Sequence, residues 1–273
     1  MKIPVTFSSY LWAHLLCRSI YFVLCSLSPT TKRLIMIGDH QQLRPKCQHY
    51  PLTVESNRGF DLNRSLFERL AVAPSFDIAT LGVQHRMHPE ISIIPKLVTY
   101  SDLSDAPSVS SHPPVLGLNS RVIFIDHNVP EDDDHCGTLQ SVSKTNAHER
   151  AMIMKMVQYM LKQGYVPGDI VVLTPYLGQM MKIQAELGKH LNVSLDDRDL
   201  KEARDHFRGN DIFSAELAAA RPDNRKSSTM PAIRVATIDN YQGEEAKIVL
   251  VSLVRSNVSG NIGFLKEPER VNV

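Results

Sequence analysis

The sequence predicts an α/β protein with a parallel sheet covered by helices on both faces. Two observations carry that expectation. Short β-branched runs alternate with helical stretches at a spacing suited to strand–helix–strand units, and polar residues gather just after the runs, at Gly38-Asp39, Thr174-Pro175 and Thr237-Ile238-Asp239. In parallel sheets ligands sit at the carboxyl ends of the strands, so these clusters are where chemistry is expected.

The elements follow in order. Leu34 to Gly38 reads as a buried strand ending in a polar turn. Leu62 to Ala71 carries Leu62, Leu66, Phe67 and Leu70 at the spacing of one helical face. Val122 to Asp126 is a second strand. Asn146 and Glu149 form a capping pair that opens a helix running to Gln163, with Gly164 as its stop. Pro167-Gly168-Asp169 then turns the chain into the strand Ile170 to Thr174, which leads to a helix near Gly178 to Leu187. Strands Arg234 to Thr237 and Ile248 to Val254 close the series. Ser101 to Ser120 and Glu131 to His135 read as solvated loops. Residues 191–231 read as a charged insertion over the sheet, helical around Ser214 to Ala220.

Composition narrows the classes. The 273 residues are 43% apolar, enough for one large core or two smaller ones. Thirty Lys and Arg against 29 Asp and Glu leave a formal charge of +1, so nucleic-acid binding is not advertised by the whole chain. A basic groove would have to be local, from Arg86, Lys96 or the group Arg221, Arg225 and Lys226. Cys17, Cys25, Cys47 and Cys136 make no C-x-x-C pair, which argues against a zinc site or disulfide framework and for a reducing compartment. His85 and His88 lack a third ligand nearby, so no metal is expected. Tyr10 to Leu27 is apolar, but His14 and Arg18 interrupt it. A core segment is expected there rather than a membrane span, because a charge at mid-span costs about 2.5–3.5 kcal/mol.

Three segments carry chemistry. Gly38-Asp39-His40-Gln41-Gln42-Leu43-Arg44-Pro45 places an uncharged amide after a glycine turn, suited to a γ-phosphate or its attacking water. Gln84-His85-Arg86-Met87-His88-Pro89 offers the planar fork of Arg86 to phosphate oxygens. Thr237 to Glu245 crowds Thr237, Asp239, Gln242 and Glu245 at a strand end, where they can bridge a nucleotide and a strand backbone.

In this order the segments resemble superfamily-1 helicases of the up-frameshift type, the group that includes the nonsense-mediated-decay RNA helicase. The third motif, G-D-x-x-Q-L-x-P, is matched by Gly38, Asp39, Gln42, Leu43 and Pro45. The fourth, Q-Y-R-M-H-P, is matched by Gln84, Arg86, Met87, His88 and Pro89, with His85 in place of tyrosine. That variant is similar to the zinc-finger-bearing branch with X-box-factor-type fingers. Thr174-Pro175-Tyr176 matches the T-P-Y segment, and Thr237, Asp239, Gln242, Gly243 and Glu245 match the fifth motif, T-x-D-x-x-Q-G-x-E. Gly263 to Val273 matches the lead-in to the sixth.

The resemblance implies a RecA-like P-loop NTPase fold, ATP with Mg²⁺ as cofactors, and RNA as the first expected partner, with single-stranded DNA as the second and no membrane. It implies Gln42, Arg86 and Glu245 as catalytic residues, and Gly38, Asp39, Gln42, Arg86, Gln242, Gly243 and Glu245 around ATP. Pro45, Thr174, Pro175, Tyr176, Thr237 and Asp239 are implied as nucleic-acid contacts. The expected organisation is an atypical segment at 1–30, the end of a first RecA-like domain at 31–80 and a second domain at 81–273. A cytoplasmic location is expected, with the nucleus as alternative. No G-x-x-x-x-G-K-[ST] occurs, no carboxylate precedes Asp39, and the family's arginine finger would follow Val273. The chain is therefore expected to be a helicase fragment inactive alone, or alternatively a non-hydrolysing RNA- or protein-binding module.

Overall fold

The computed structural model describes residues 35–47, 49–74, 76–132, 143–207 and 231–272. The N-terminal apolar segment, the helix expected at Ser214 to Ala220, Val273, and the basic group at Arg221, Arg225 and Lys226 lie outside them. The chain divides into two compact units. The first takes in residues up to His85 together with 94–106 and 269–272; the second takes in Arg86–Ile93 and Pro107–Pro268.

In the first unit, helix α1 (Leu66–Ala71) starts at Ser65, whose hydroxyl accepts from the Glu68 amide at 3.0 Å, a serine cap on an orphan donor. It begins four residues later than the apolar spacing suggested, because Leu62 lies before the cap in a turn. Strand β1 (Val83–Gln84) is followed by helix α2 (Pro89–Val98), which opens on a proline whose missing amide costs nothing there. The chain then returns as β2 (Ser104–Asp105), parallel to β1. This pairing joins residues around Ser104–Asp105 to the first unit. It also corrects the reading of 101–120 as a solvated loop: β2 lies there, as does a 3₁₀ turn (Pro107–Ser111) with Val109 fully buried.

The second unit is built on a four-stranded parallel sheet. Helix α3 (Ala147–Lys162) leads to β3 (Ile170–Thr174), α4 (Leu177–Leu187), β4 (Val193–Ser194), α5 (Asp197–His206), β5 (Ile233–Thr237) and β6 (Ile248–Val251). The strand order is β4-β5-β3-β6. All five residues of β3 are buried, as a strand paired on both edges requires. Ile170 and Val172 join Ile233, Val235 and Ile248 in the larger apolar cluster, which α3, α4 and α5 complete with Val157, Met160, Met181, Ile183 and Leu200. Alternate residues Val171, Leu173 and Ala236 form a smaller cluster with Ile238 and Tyr241.

Two sequence expectations change here. Residues 193–206 are not an insertion lying over the sheet: β4 is its edge strand, and α5 buries Leu200 and Ala203 in the core. Charge misled because nine of the ten α5 residues other than Leu200 are polar or small, and a single apolar stripe suffices to dock a helix. Residues 35–38 and 122–126 form no strand; Ile35, Ile37 and Phe124 are exposed, and no described strand runs beside either run to complete a ladder.

A polar network ties α3 to the chain after β6. The Glu149 carboxylate accepts from Ser252 Oγ at 2.6 Å and the Val254 amide at 2.9 Å, and meets His127 Nε2 at 3.3 Å. Asn146 caps α3 by accepting from the Glu149 amide and donates to the Val254 carbonyl. Buried Gln179 donates to the Asn146 carbonyl and to Ser252 Oγ. Together these hold Val254 at φ 72°, a conformation costing a β-branched residue about 1–3 kcal/mol. At the same helix start, Asp132 accepts from Thr145 Oγ1, the Ala147 amide and Arg150. Burial pushes its pKa up, but the donors from Thr145, Ala147 and Arg150 outweigh it and hold it below its ordinary value.

Glu149→Ala is expected to cost about 2–3 kcal/mol, because it leaves the Val254 amide and Ser252 hydroxyl without their acceptor. Urea unfolding measures this, and a change below about 0.5 kcal/mol would show that the network is dispensable. The stability that Asp132 contributes is present above the ordinary aspartate value of 3.8 and is lost as pH falls through the lower folded-state value. Asp132→Asn should therefore be less stable at neutral pH and flatter in stability below that value; parallel acid profiles would refute this.

Candidate nucleotide and nucleic-acid elements

In the first unit, the loop after Gly38 is organised by Asp39. One carboxylate oxygen accepts from the Gln41 amide at 3.0 Å, closing a tight turn. The other accepts from Gln42 Nε2 at 3.0 Å and from the Tyr100 hydroxyl at 2.7 Å. Burial, with the Asp39 carboxylate beside it, raises the Tyr100 phenol above its ordinary value, so it stays a donor. Asn272 Nδ2 donates to the Gln41 carbonyl at 2.7 Å and to Thr99 Oγ1 at 3.0 Å, clasping the same loop from the sixth-motif lead-in. Arg44 pairs with Glu55, Glu68 and Glu269, and Pro45 is buried beside it. A shallow recess between this loop and α1 is lined by Asp39, His40, Gln42, Arg44 and Glu68, among others.

The second unit presents two segments at neighbouring strand ends. Thr174 and Thr237 are register partners at the carboxyl ends of β3 and β5. Beyond Thr174 lie Pro175 and Tyr176, the residue that precedes α4. The Tyr176 ring is buried, with its hydroxyl 3.5 Å from Arg255 Nη1. Arg255 Nε is fixed by Glu131 at 2.8 Å, and Asn257 donates to the same carboxylate. Gly263 packs so closely that a Cβ would stand 2.6 Å from the Tyr176 hydroxyl and 2.7 Å from Arg255 Nη1, and its φ is +56°. The backbone conformation disfavours any side chain there, and one would also have to displace the ends of Tyr176 and Arg255.

Beyond Thr237 the chain makes a 3₁₀ turn (Ile238–Asn240) and reverses at Gly243, whose φ of 82° suits glycine. Three groups hold this turn. Asp199 of α5 accepts from Thr237 Oγ1 at 2.6 Å, from the Thr237 amide at 3.3 Å and from Asn240 Nδ2 at 2.7 Å. Arg198 donates to the Asn240 carbonyl at 2.8 Å. Arg234 pairs with Glu244 at 2.8 Å and with Asp196 at 3.1 Å, and its guanidinium lies over the Tyr241 ring. Burial raises the Asp199 pKa, while the donors from Thr237 and Asn240 act against the rise. Arg86 Nε meets Glu245 at 3.2 Å, with side chains 50% and 73% exposed, so water screens this pair strongly.

The residues expected to matter are thus placed unequally. Arg86, Gly243 and Glu245 are exposed, and Pro175, Asp239 and Gln242 half-buried. Thr174, Tyr176 and Thr237 are buried, Thr174 completely, so in this conformation their side chains support the surface instead of forming it. The Thr174 hydroxyl makes no hydrogen bond among the described residues. Thr174 and Thr237 face each other as register partners at the ends of β3 and β5. Asp199, Tyr100 and Arg255 were not anticipated. Asp199 sat inside a stretch read as a charged insertion over the sheet, and only its register on α5 turns it inward.

Comparison with known proteins accords with this geometry. The family model described as an AAA domain (AAA_12) matches residues 62–273. The chain is 35% identical over 250 residues to the mouse (Mus musculus) NFX1-type zinc finger-containing protein 1, covering 92% of this chain and 11% of that protein. It is 34% identical over 252 residues to Helicase required for RNAi-mediated heterochromatin assembly 1 of Schizosaccharomyces pombe, covering 92% and 21%. It is 29% identical over 249 residues to Regulator of nonsense transcripts 1 of Dictyostelium discoideum, covering 89% and 16%. The chain therefore spans only a tenth to a fifth of the length of these relatives. Since the family match takes in the Arg86 segment and everything after it, the chain belongs to the AAA domain family of up-frameshift-like superfamily-1 helicases, with their RecA-like P-loop fold.

Proposed function

We propose that this chain is the strand-gripping and nucleotide-sensing part of an ATP-dependent RNA helicase. The observation that carries the reading is the pairing of Thr174 with Thr237, which sets Pro175-Tyr176 and the Asp239 to Glu245 turn side by side at the carboxyl ends of β3 and β5, where parallel sheets take ligands. RNA is favoured over single-stranded DNA by the relatives, whose names include a helicase required for RNAi-mediated heterochromatin assembly and a regulator of nonsense transcripts. A cytoplasmic location is proposed, with the nucleus second.

Each unit carries a group whose chemistry suits phosphate. In the second, Arg86 is exposed enough to turn its fork to phosphate oxygens, and in the first the Gln42 amide is neutral. Bound ATP would supply the free energy that drives strand movement. For Mg²⁺ the first unit offers Asp39, but its oxygens already accept from Gln41, Gln42 and Tyr100, which suits it poorly to hold the ion. The 273 residues also contain no glycine-rich phosphate cradle with its lysine. That observation favours a second reading, a non-hydrolysing RNA-binding module.

Fluorescence anisotropy with a labelled single-stranded RNA separates the outcomes. Binding is expected to weaken steeply between about 50 and 200 mM salt, as phosphate contacts do. Thr174→Val is expected to leave both stability and affinity within about 0.5 kcal/mol, since the hydroxyl is buried and without a partner. A large loss of affinity with unchanged stability would show that the hydroxyl reaches the strand. No RNA binding at any salt would refute the strand-gripping role. The chain by itself is expected to release no phosphate from ATP above a protein-free control, with or without RNA. Release that Arg86→Ala abolishes would overturn that.

A further inference from the structure

The turn from Thr237 to Glu245 is fastened from outside as well as from within. Inside it run the Tyr241 amide to the Ile238 carbonyl and the Glu244 amide to the Tyr241 carbonyl, and Gly243 sits in it at φ 82°. Much of its outside support comes from α5, which belongs to none of the helicase motifs. Asp199 is fully buried and receives three donors, all from Thr237 and Asn240. A residue needed only to fill that space would be apolar, because a buried carboxylate is costly unless its acceptors are used. On the preceding residue, Arg198 takes the Asn240 carbonyl, and Arg234 of β5 takes Glu244. The turn is thus fastened at its start, middle and end, with Asp239 and Gln242 half-buried and Gly243 exposed between those points.

We propose that Asp199 is the positioning residue of this turn, fixing Thr237 and Asn240 so that Asp239, Gln242 and Gly243 meet RNA in one geometry. This rests on the strand-gripping role above. Asp199 touches no ligand itself; it acts through Thr237.

Asp199→Asn tests this in the full chain, because it keeps the size and one carbonyl oxygen while setting an amide donor against the Thr237 amide. Hydrogen–deuterium exchange across 236–246 is expected to quicken about tenfold, with β3 and α4 unchanged, for the loss of one buried hydrogen bond. Affinity for a labelled single-stranded RNA should fall about fivefold or more, with the salt slope unchanged because no phosphate contact is lost. The direction discriminates. Removing a negative charge near a polyanion site would by electrostatics alone tighten binding, and a residue that only fills the core would leave affinity unchanged. Thr237→Val should mimic the loss, and the double variant should bind no worse than either single one. Unchanged exchange in the turn, tighter RNA binding, or full additivity would each overturn the proposal. Should the unaltered chain bind no RNA, the strand-gripping role fails, and with it the part of the proposal that concerns RNA; the exchange measurement still decides whether Asp199 holds the turn.

Discussion

Strand β3 constrains the rest of the second unit. It is hydrogen-bonded to β5 on one edge and β6 on the other, with every residue buried. A parallel ladder fixes direction as well as neighbours, so the segments leaving β3, β5 and β6 all emerge at one end of the sheet. Those segments are Thr174 to Tyr176, Thr237 to Glu245 and Ser252 to Asn257. Three stretches far apart in sequence become adjacent through register alone. A shift of one residue in β5 would turn Thr237 away from Thr174 and bring Arg234 into the apolar cluster.

The same constraint brings buried motif residues together. Thr174 and Thr237 stand at the last positions of their strands and are each other's register partners. Their surroundings differ, however. Thr237 is bound by Asp199, whereas the Thr174 hydroxyl is satisfied by no described residue. Beyond β6 the chain must leave the sheet abruptly, and Val254 takes up a left-handed conformation to do so. Glu149 and Asn146 hold it there from α3, and the next residue, Arg255, is delivered to Glu131 and Tyr176. Strain at one backbone position is thus the cost of aiming one guanidinium.

Much of this was legible beforehand, for physical reasons. Continuous apolar runs bounded by turn residues identified β3, β5 and β6, and Asn146 with Glu149 identified the start of α3 because capping chemistry is local. The motif residues were legible because they follow those strands. What was not legible depends on distant partners. Ile35-Met36-Ile37 and Val122 to Ile125 have strand composition, yet strand formation requires a neighbour that composition cannot supply. Asp199 looked solvated among Asp196, Asp197 and Arg198, since a helix of mean polar character hides which of its carboxylates faces inward. The contact of Asn272 with Gln41 joins residues 231 apart in sequence, beyond any local signal.

Charge presents the last difficulty for the proposed grip on a polyanion. The chain is nearly neutral, and the segments expected to meet phosphate are rich in carboxylates. In the second unit those carboxylates are largely occupied. Glu244 is held by Arg234, Glu245 by Arg86, and Glu131 by Arg255, while Asp199 is turned into the core. Each pairing neutralises a charge that would otherwise repel phosphate, and each also fixes the backbone of a strand-end segment. Among the described residues these arginines are consumed in the exchange, so they offer no large positive field. On the proposed function, affinity there would come from the shape of the surface that these ion pairs hold, from backbone amides and from cations such as Arg86, whose exposed partner can be traded for phosphate. Precision of the turns then matters more than net charge, and a carboxylate buried beneath a motif can govern binding without touching the strand.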